Sequence, residues 1–87
     1  MTPDRGPFRY RQDVLDQLER HGVRPRSTTP PELVRDFVRD LYKYQIRQLR
    51  DRMLNNDFPK DEYYGRVEAL RNQYPVLALL PRQFLEV

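Results

Sequence analysis

The sequence contains no cysteine, and this absence removes several kinds of chemistry at once. Disulfide bonds, thiolate metal sites and cysteine nucleophiles are all excluded. Histidine occurs once, at His21, so no second histidine or cysteine could complete a metal or catalytic site with it. No serine, threonine or lysine lies in a recognisable nucleophile or phosphate-loop motif. We therefore expect no enzymatic activity, no metal and no cofactor.

Long apolar runs are also missing from the chain. The longest run, residues 76–80, is far too short to cross a bilayer, and the first residues lack an apolar core of signal-peptide length. These two absences predict a cytoplasmic location and no membrane partner. With 87 residues, the chain has room for a single domain, residues 1–87, and for one core.

The longest helical pattern covers residues 30–55. Thr29, two prolines and Glu32 come in the order of a helix start, which predicts that Thr29 and Glu32 cap each other's backbone N–H groups. An apolar stripe follows at helical spacing and is expected to face inward: Val34, Val38, Leu41, Leu49 and Met53, widened by Phe37 and Tyr44. The helix is expected to end near Asn55 and Asn56, because asparagine tolerates left-handed backbone.

Two shorter helices flank this one. The first is predicted over residues 7–21, where Gly22 takes the left-handed position and Val23 folds back onto Leu18 in a Schellman ending. The other is predicted over residues 59–73, beginning with Pro59. Residues 1–6 are predicted to be disordered, and the apolar tail, residues 75–87, is expected to pack over the helices. The sequence thus predicts an all-α fold, a small three-helix bundle with one long central helix and a packed tail.

Charge is abundant but nearly balanced. Sixteen Lys and Arg residues oppose thirteen Asp and Glu residues, which leaves a net charge of +3. Five arginines form a candidate basic patch: Arg20, Arg24, Arg26, Arg47 and Arg50. With tyrosines nearby, this patch gives a second hypothesis for function, nucleic-acid binding. The alternative is a solvated helix face with pairs such as Arg47–Asp51. We favour the solvated face, because Asp36, Asp40 and Asp51 would repel phosphate along the same helix.

Residues 46–70 carry a recognisable spacing. Leu49, Met53 and Leu54 precede the apolar turn residue Phe58. A Glu-aromatic pair follows at Glu62 and Tyr63, then a basic position at Arg66 and an apolar one at Leu70. This order resembles the short C-terminal domain (SHOCT) family, small helical hairpins at the ends of many bacterial proteins. Asn56 stands where that family has glycine, and Pro59 where it has a capping threonine. The resemblance implies a docking or oligomerisation element without enzymatic residues.

The first hypothesis for function is therefore a protein-interaction or oligomerisation module. Aromatic residues are numerous, with six tyrosines and four phenylalanines, and those off the centre of an apolar stripe would make interface anchors. We expect a protein partner or self-association through a candidate surface made of Tyr42, Leu49, Met53 and Tyr64.

Overall fold

A computed structural model describes residues 6–87 of the chain. It contains three α-helices, numbered here in chain order as α1 (Gln12–Glu19), α2 (Pro31–Leu54) and α3 (Tyr63–Arg71). A short 3₁₀-helix, Lys60–Glu62, leads directly into α3, and two more follow it at Pro75–Ala78 and Pro81–Phe84. No strand occurs among these described residues, which confirms the predicted all-α class. The disorder predicted for residues 1–6 falls, except at Gly6, outside the described range.

The first helix begins at Gln12 rather than near residue 7. The segment before it is extended and pairs with the end of the chain, where Tyr10 forms an isolated antiparallel bridge with Leu85. The Arg11 N–H donates to the Phe84 carbonyl at 2.8 Å. Because these backbone groups bond to the tail, they are not available for the first turn of a helix. Gly6 is also held in place, since its N–H donates to the Ser27 hydroxyl oxygen at 2.7 Å.

The C-terminal ends of α1 and α2 agree with the sequence-based predictions. Gly22 has a φ of 74°, and the Val23 N–H donates to the Leu18 carbonyl at 2.9 Å, which confirms the predicted Schellman ending. Asn56 has a φ of 63°, and its N–H donates to the Met53 carbonyl at 3.0 Å. The prediction of left-handed asparagine after the long helix is therefore also confirmed.

The start of α2 differs from the prediction. The N-cap residue of α2 is Pro30, and no side chain caps the first turn. The predicted reciprocal cap between Thr29 and Glu32 is therefore wrong. The Thr29 hydroxyl oxygen instead accepts the Arg26 N–H at 3.0 Å, and the Thr29 carbonyl accepts the Tyr10 hydroxyl. Thr29 thus stabilises the turn before the helix rather than the helix itself.

The core joins α1, the first half of α2 and the tail. Val14 and Leu18 enter it from α1, and Val38 from α2, each fully buried. The tail contributes Val76 and Phe84, which are also fully buried. The tail is consequently part of the interior and does not merely cover the helices.

An arginine ties the tail to α2 from the side. The Arg35 Nε donates to the Leu79 carbonyl at 2.9 Å, and its Nη2 donates to the Leu77 carbonyl at 3.0 Å. Backbone carbonyls in and just after the first tail 3₁₀-helix therefore find partners without a sheet or a longer helix.

The molecule is elongated, with extents of 52 × 21 × 19 Å. Its length comes from α2, whose 24 residues span about 36 Å at ~1.5 Å per residue. The far half of α2 lies beside α3, and α3 itself has no fully buried residue. Within the described residues, no helix combines the length and the apolar character needed to cross a membrane.

Candidate interaction surface

Four large apolar side chains remain more than half exposed on one side of α2. The exposed fractions are 61% for Leu33, 59% for Phe37, 56% for Tyr44 and 63% for Leu54. At about 100° per residue, these four positions fall within an arc of roughly 100°. The arc lies on the side of the helix opposite to the buried Val38. We call these four residues the outer face of α2.

Charged residues on the same side of α2 are distributed unevenly by sign. Asp36 and Asp40 lie in the first half of the helix, whereas Lys43, Arg47 and Arg50 lie in the second half together with one acid, Asp51. All six are exposed. The side that carries the outer face is therefore acidic in its first half and has a net positive charge in its second half.

Most of these charges have no partner within the described part of the chain. Asp36 forms an ion pair of 3.3 Å with Arg39, one turn further along the helix. The predicted pair between Arg47 and Asp51 is wrong, because none of the ion pairs among residues 6–87 joins them. Asp40 and Arg47 are both free to meet charges on another molecule.

A shallow depression adjoins the start of the outer face. It has a volume of about 340 Å³ and is lined by Leu33 and Phe37 together with the linker after α1, including Val23 and Pro25. The exposed apolar side chains therefore border a concave, mainly apolar region.

The predicted interaction residues do not form one surface. Leu49 is only 9% exposed, so it faces inward, as the apolar stripe predicted, and is not available to the candidate surface. Tyr42 is half-buried and packs its edge against Tyr74, with ring centroids 5.4 Å apart. Met53 is also half-buried. Tyr64 is 82% exposed, but it lies on α3.

Phe37 and Tyr44 were expected on the inner side and instead belong to the outer face. The core is too narrow to accept them, because α1 and the tail together cover only the arc around Val34 and Val38. Leu33 and Leu54 complete the outer face and were not singled out from the sequence. Their signal was present, since Leu33, Phe37 and Tyr44 recur at helical spacing as a second stripe.

The five arginines of the predicted basic patch are exposed but are divided between two places. Arg20 and Arg24 lie at the end of α1 and just after it, and Arg24 forms an ion pair of 3.0 Å with Glu19. Arg26 precedes α2, whereas Arg47 lies about 24 Å along that helix from its first residue at ~1.5 Å per residue. Arg50 follows one turn later. The structure thus does not gather these side chains into one groove for a phosphate backbone.

The single histidine links the end of α1 to the end of α3. The His21 ring stacks on Tyr74, with centroids 4.0 Å apart and an interplanar angle of 10°. Its Nε2 donates to the Gln73 carbonyl at 2.6 Å, which assigns the proton to that nitrogen. The Tyr74 hydroxyl donates to Gln45, and burial raises the pKa of Tyr74 above its ordinary value. These contacts give His21 a packing role.

Two carboxylates near the turn between α2 and α3, those of Asp57 and Asp61, lie far from His21 along the fold. Asp57 lies in the turn before α3, where it is 3.7 Å from Arg52, and Asp61 lies in the 3₁₀-helix that follows. His21 contacts residues beyond the opposite end of α3. Within the described residues, no three side chains of the types that bind metals cluster together.

The turn between α2 and α3 is closed by an aromatic ring that contacts two guanidinium groups. Phe58 is 6% exposed, and the guanidinium carbons of Arg52 and Arg66 lie 5.7 and 4.1 Å from its ring centroid. Glu62 pairs with Arg66 at 3.4 Å and holds that side chain over the ring. The apolar turn position of the SHOCT-like pattern is therefore a buried anchor of this hairpin.

Comparison of the chain with known protein families, with curated proteins and with solved structures finds no match. The SHOCT resemblance of residues 46–70 accordingly stays a prediction.

Proposed function

We propose that this chain is a small interaction module whose outer face of α2 buries against another protein surface. The observation that carries the proposal is the exposure of Leu33, Phe37, Tyr44 and Leu54, each more than half open on one side of one helix. Exposed apolar residues that are grouped on one surface favour a binding site, whereas isolated ones are common on any protein. Here the four share one side of α2, with charged residues between them. In this reading the fold is a helical bundle with α2 as its central helix.

The size of the stripe sets the expected strength of binding. Full burial of a Leu, Phe or comparable side chain contributes about 1.5–3 kcal/mol, so covering the exposed halves yields roughly 1 kcal/mol for each residue. Association opposes this gain with an entropic cost of about 4–15 kcal/mol. The four side chains alone would therefore support weak, reversible contact, and neighbouring polar and charged groups must supply the remainder.

The SHOCT resemblance supports the same class of function from a different part of the chain. It implies docking or oligomerisation by the hairpin of α2 and α3, and Leu54 belongs both to that hairpin and to the outer face. A module of this kind needs no catalytic group.

Photo-crosslinking tests whether the outer face meets another protein. We would place a photoreactive phenylalanine analogue at Phe37 or Tyr44, and at the exposed Gln12 as a matched control. In cells that express the chain, irradiation should yield covalent protein adducts from positions 37 and 44 but not from position 12. If positions 37 and 44 give no more adduct than position 12, the outer face is not a binding surface and the proposal fails.

A further inference from the structure

We propose that the partner of the outer face is a second copy of this chain, with the two α2 helices packed antiparallel. This inference rests on the proposed function and adds the identity, the direction and the register of the partner. It follows from how the side chains of one face are arranged along the helix.

Four residues of α2, spaced seven apart, form a series that matches a second copy of itself running in the opposite direction. Leu33, Asp40, Arg47 and Leu54 follow one another at intervals of two helical turns. Read from either end, the series is apolar, charged, charged, apolar, and the two inner charges have opposite signs. When the second helix runs antiparallel, one register places Leu33 opposite Leu54 and Asp40 opposite Arg47 at the same time. A two-fold axis then passes between Lys43 and Tyr44, and each contact occurs twice.

The distribution of charge favours this direction over a parallel one. In a parallel pair Asp40 would face its own copy, and Arg47 would do the same, so both halves of the interface would contain like charges. In the antiparallel pair the acidic first half of each helix lies on the second half of the other, whose net charge is positive. The register also brings like charges together, because Asp36 faces Asp51 on both sides of the two-fold axis and the two Lys43 residues lie near that axis. The 3.3 Å ion pair between Asp36 and Arg39 reduces the effect of the Asp36–Asp51 contact.

The extent of α2 limits how tight the dimer can be. The helix is about 36 Å long, and a helix presents a strip roughly 10 Å wide. The contact is therefore smaller than the ~800 Å² per partner of a standard protein interface. We expect a reversible dimer with a dissociation constant in the micromolar range, or a weaker one.

Introduced cysteines can report the register directly, because the chain has none of its own. A mixture of the L33C and L54C variants, mildly oxidised, should form a covalent dimer joined between positions 33 and 54. Each variant alone should remain largely uncrosslinked, as should the exposed control Q12C mixed with L54C. If L33C alone forms the covalent dimer, the helices are parallel and the inference is overturned. If the mixture crosslinks no faster than the control, the inference is overturned as well.

Charge exchange tests the pair between Asp40 and Arg47. The variants D40R and R47D should each raise the dissociation constant, measured by sedimentation velocity, by about fivefold or more. The double variant D40R/R47D, and an equimolar mixture of the two single variants, should restore dimerisation. The variant D61R, whose change lies off α2, should leave it unaltered. Loss of dimerisation that the double variant does not restore overturns the register, and unaltered dimerisation in both single variants does the same.

The two proposals fail in distinguishable ways. If Phe37 crosslinks only to proteins of other masses and no dimer sediments at high concentration, the second copy is excluded while the interaction surface stands. If neither adducts nor dimers form, both are overturned. Circular dichroism of each variant would confirm that the helices are intact, which is expected because every altered position is exposed.

Discussion

The apolar tail offers the sharpest test of the fold, through replacement of Phe84 by alanine. Phe84 is fully buried among residues of α1, α2 and the tail, and its carbonyl accepts the Arg11 N–H at 2.8 Å. The alanine variant keeps the backbone hydrogen bond and removes the ring. The measured change in the free energy of unfolding therefore reports the burial of that ring.

The expected loss is large compared with the total stability. Replacing a buried phenylalanine by alanine lowers the free energy of unfolding by about 3–5 kcal/mol, the sum of lost burial and a residual cavity. A chain of this length has about 4–13 kcal/mol in total. At about 4–8 °C per kcal/mol, the melting temperature should fall by at least ~12 °C.

Urea unfolding followed by circular dichroism measures this change. The matched control is Leu80→Ala, in the same tail, where the side chain is 49% exposed and the expected loss is about 1 kcal/mol or less. If Phe84→Ala is no more destabilising than Leu80→Ala, the tail does not belong to the core and the packing described here is wrong.

The remaining predictions concern the backbone and pH. A Cβ at Gly22 or at Gly65 would meet no atom within 4 Å, so alanine there tests backbone conformation alone. Gly22→Ala should lower the free energy of unfolding by about 1–2 kcal/mol because φ is positive there. Gly65→Ala, within α3, should raise it by up to about 1 kcal/mol. If urea unfolding shows that both variants change the free energy of unfolding in the same direction, this reasoning is contradicted. Burial, and then the Glu32 carboxylate, raise the pKa of Tyr10 from 10.0 to about 12. Between these values the unfolded chain loses a proton that the folded chain keeps, so stability should fall as pH rises, by at most about 1.4 kcal/mol per pH unit. Tyr10→Phe should remove this part of the slope, and an unchanged slope would refute the assignment.

Features set by a few neighbouring residues could be predicted from the sequence. The left-handed positions at Gly22 and Asn56 and the ends of α1 and α2 are of this kind, because each depends on backbone preferences and on hydrogen bonds within one turn. The inward positions Val34 and Val38 were also predictable, since they continue a single helical stripe.

Features that depend on distant parts of the chain were not predictable. The helical pattern around Tyr10 gave no sign that this residue pairs with Leu85, at the other end of the sequence. Thr29 has the residue type of a cap, yet its oxygen atoms are taken by Arg26 and Tyr10. At Tyr10 a distant partner prevailed over the local helical preference; at Thr29 a competing local turn took the hydroxyl, and the distant Tyr10 took the carbonyl.

The candidate surface was misplaced for a related reason. A sequence shows how apolar residues are spaced around a helix, but the width of the buried arc depends on what packs against it. Here the tail and α1 cover a narrow arc, so Phe37 stays exposed, while Leu49, which lies beside Ala69 and Leu70 of α3, is buried. The two apolar stripes of α2 could be recognised in the sequence, but which of them faces inward was decided by the tail.

The length of α2 connects the fold to the proposed association. Its first half is fixed by a core that includes Val38 and the tail, whereas its second half is supported by α3, which buries no residue fully. A second α2 packed antiparallel would place the well-supported first half of each copy beside the less-supported second half of the other. Dimerisation would therefore stabilise the end of the helix around Leu54 more than the end around Leu33. Hydrogen exchange should then slow with protein concentration mainly in the second half of α2, and uniform slowing along the helix would contradict this arrangement.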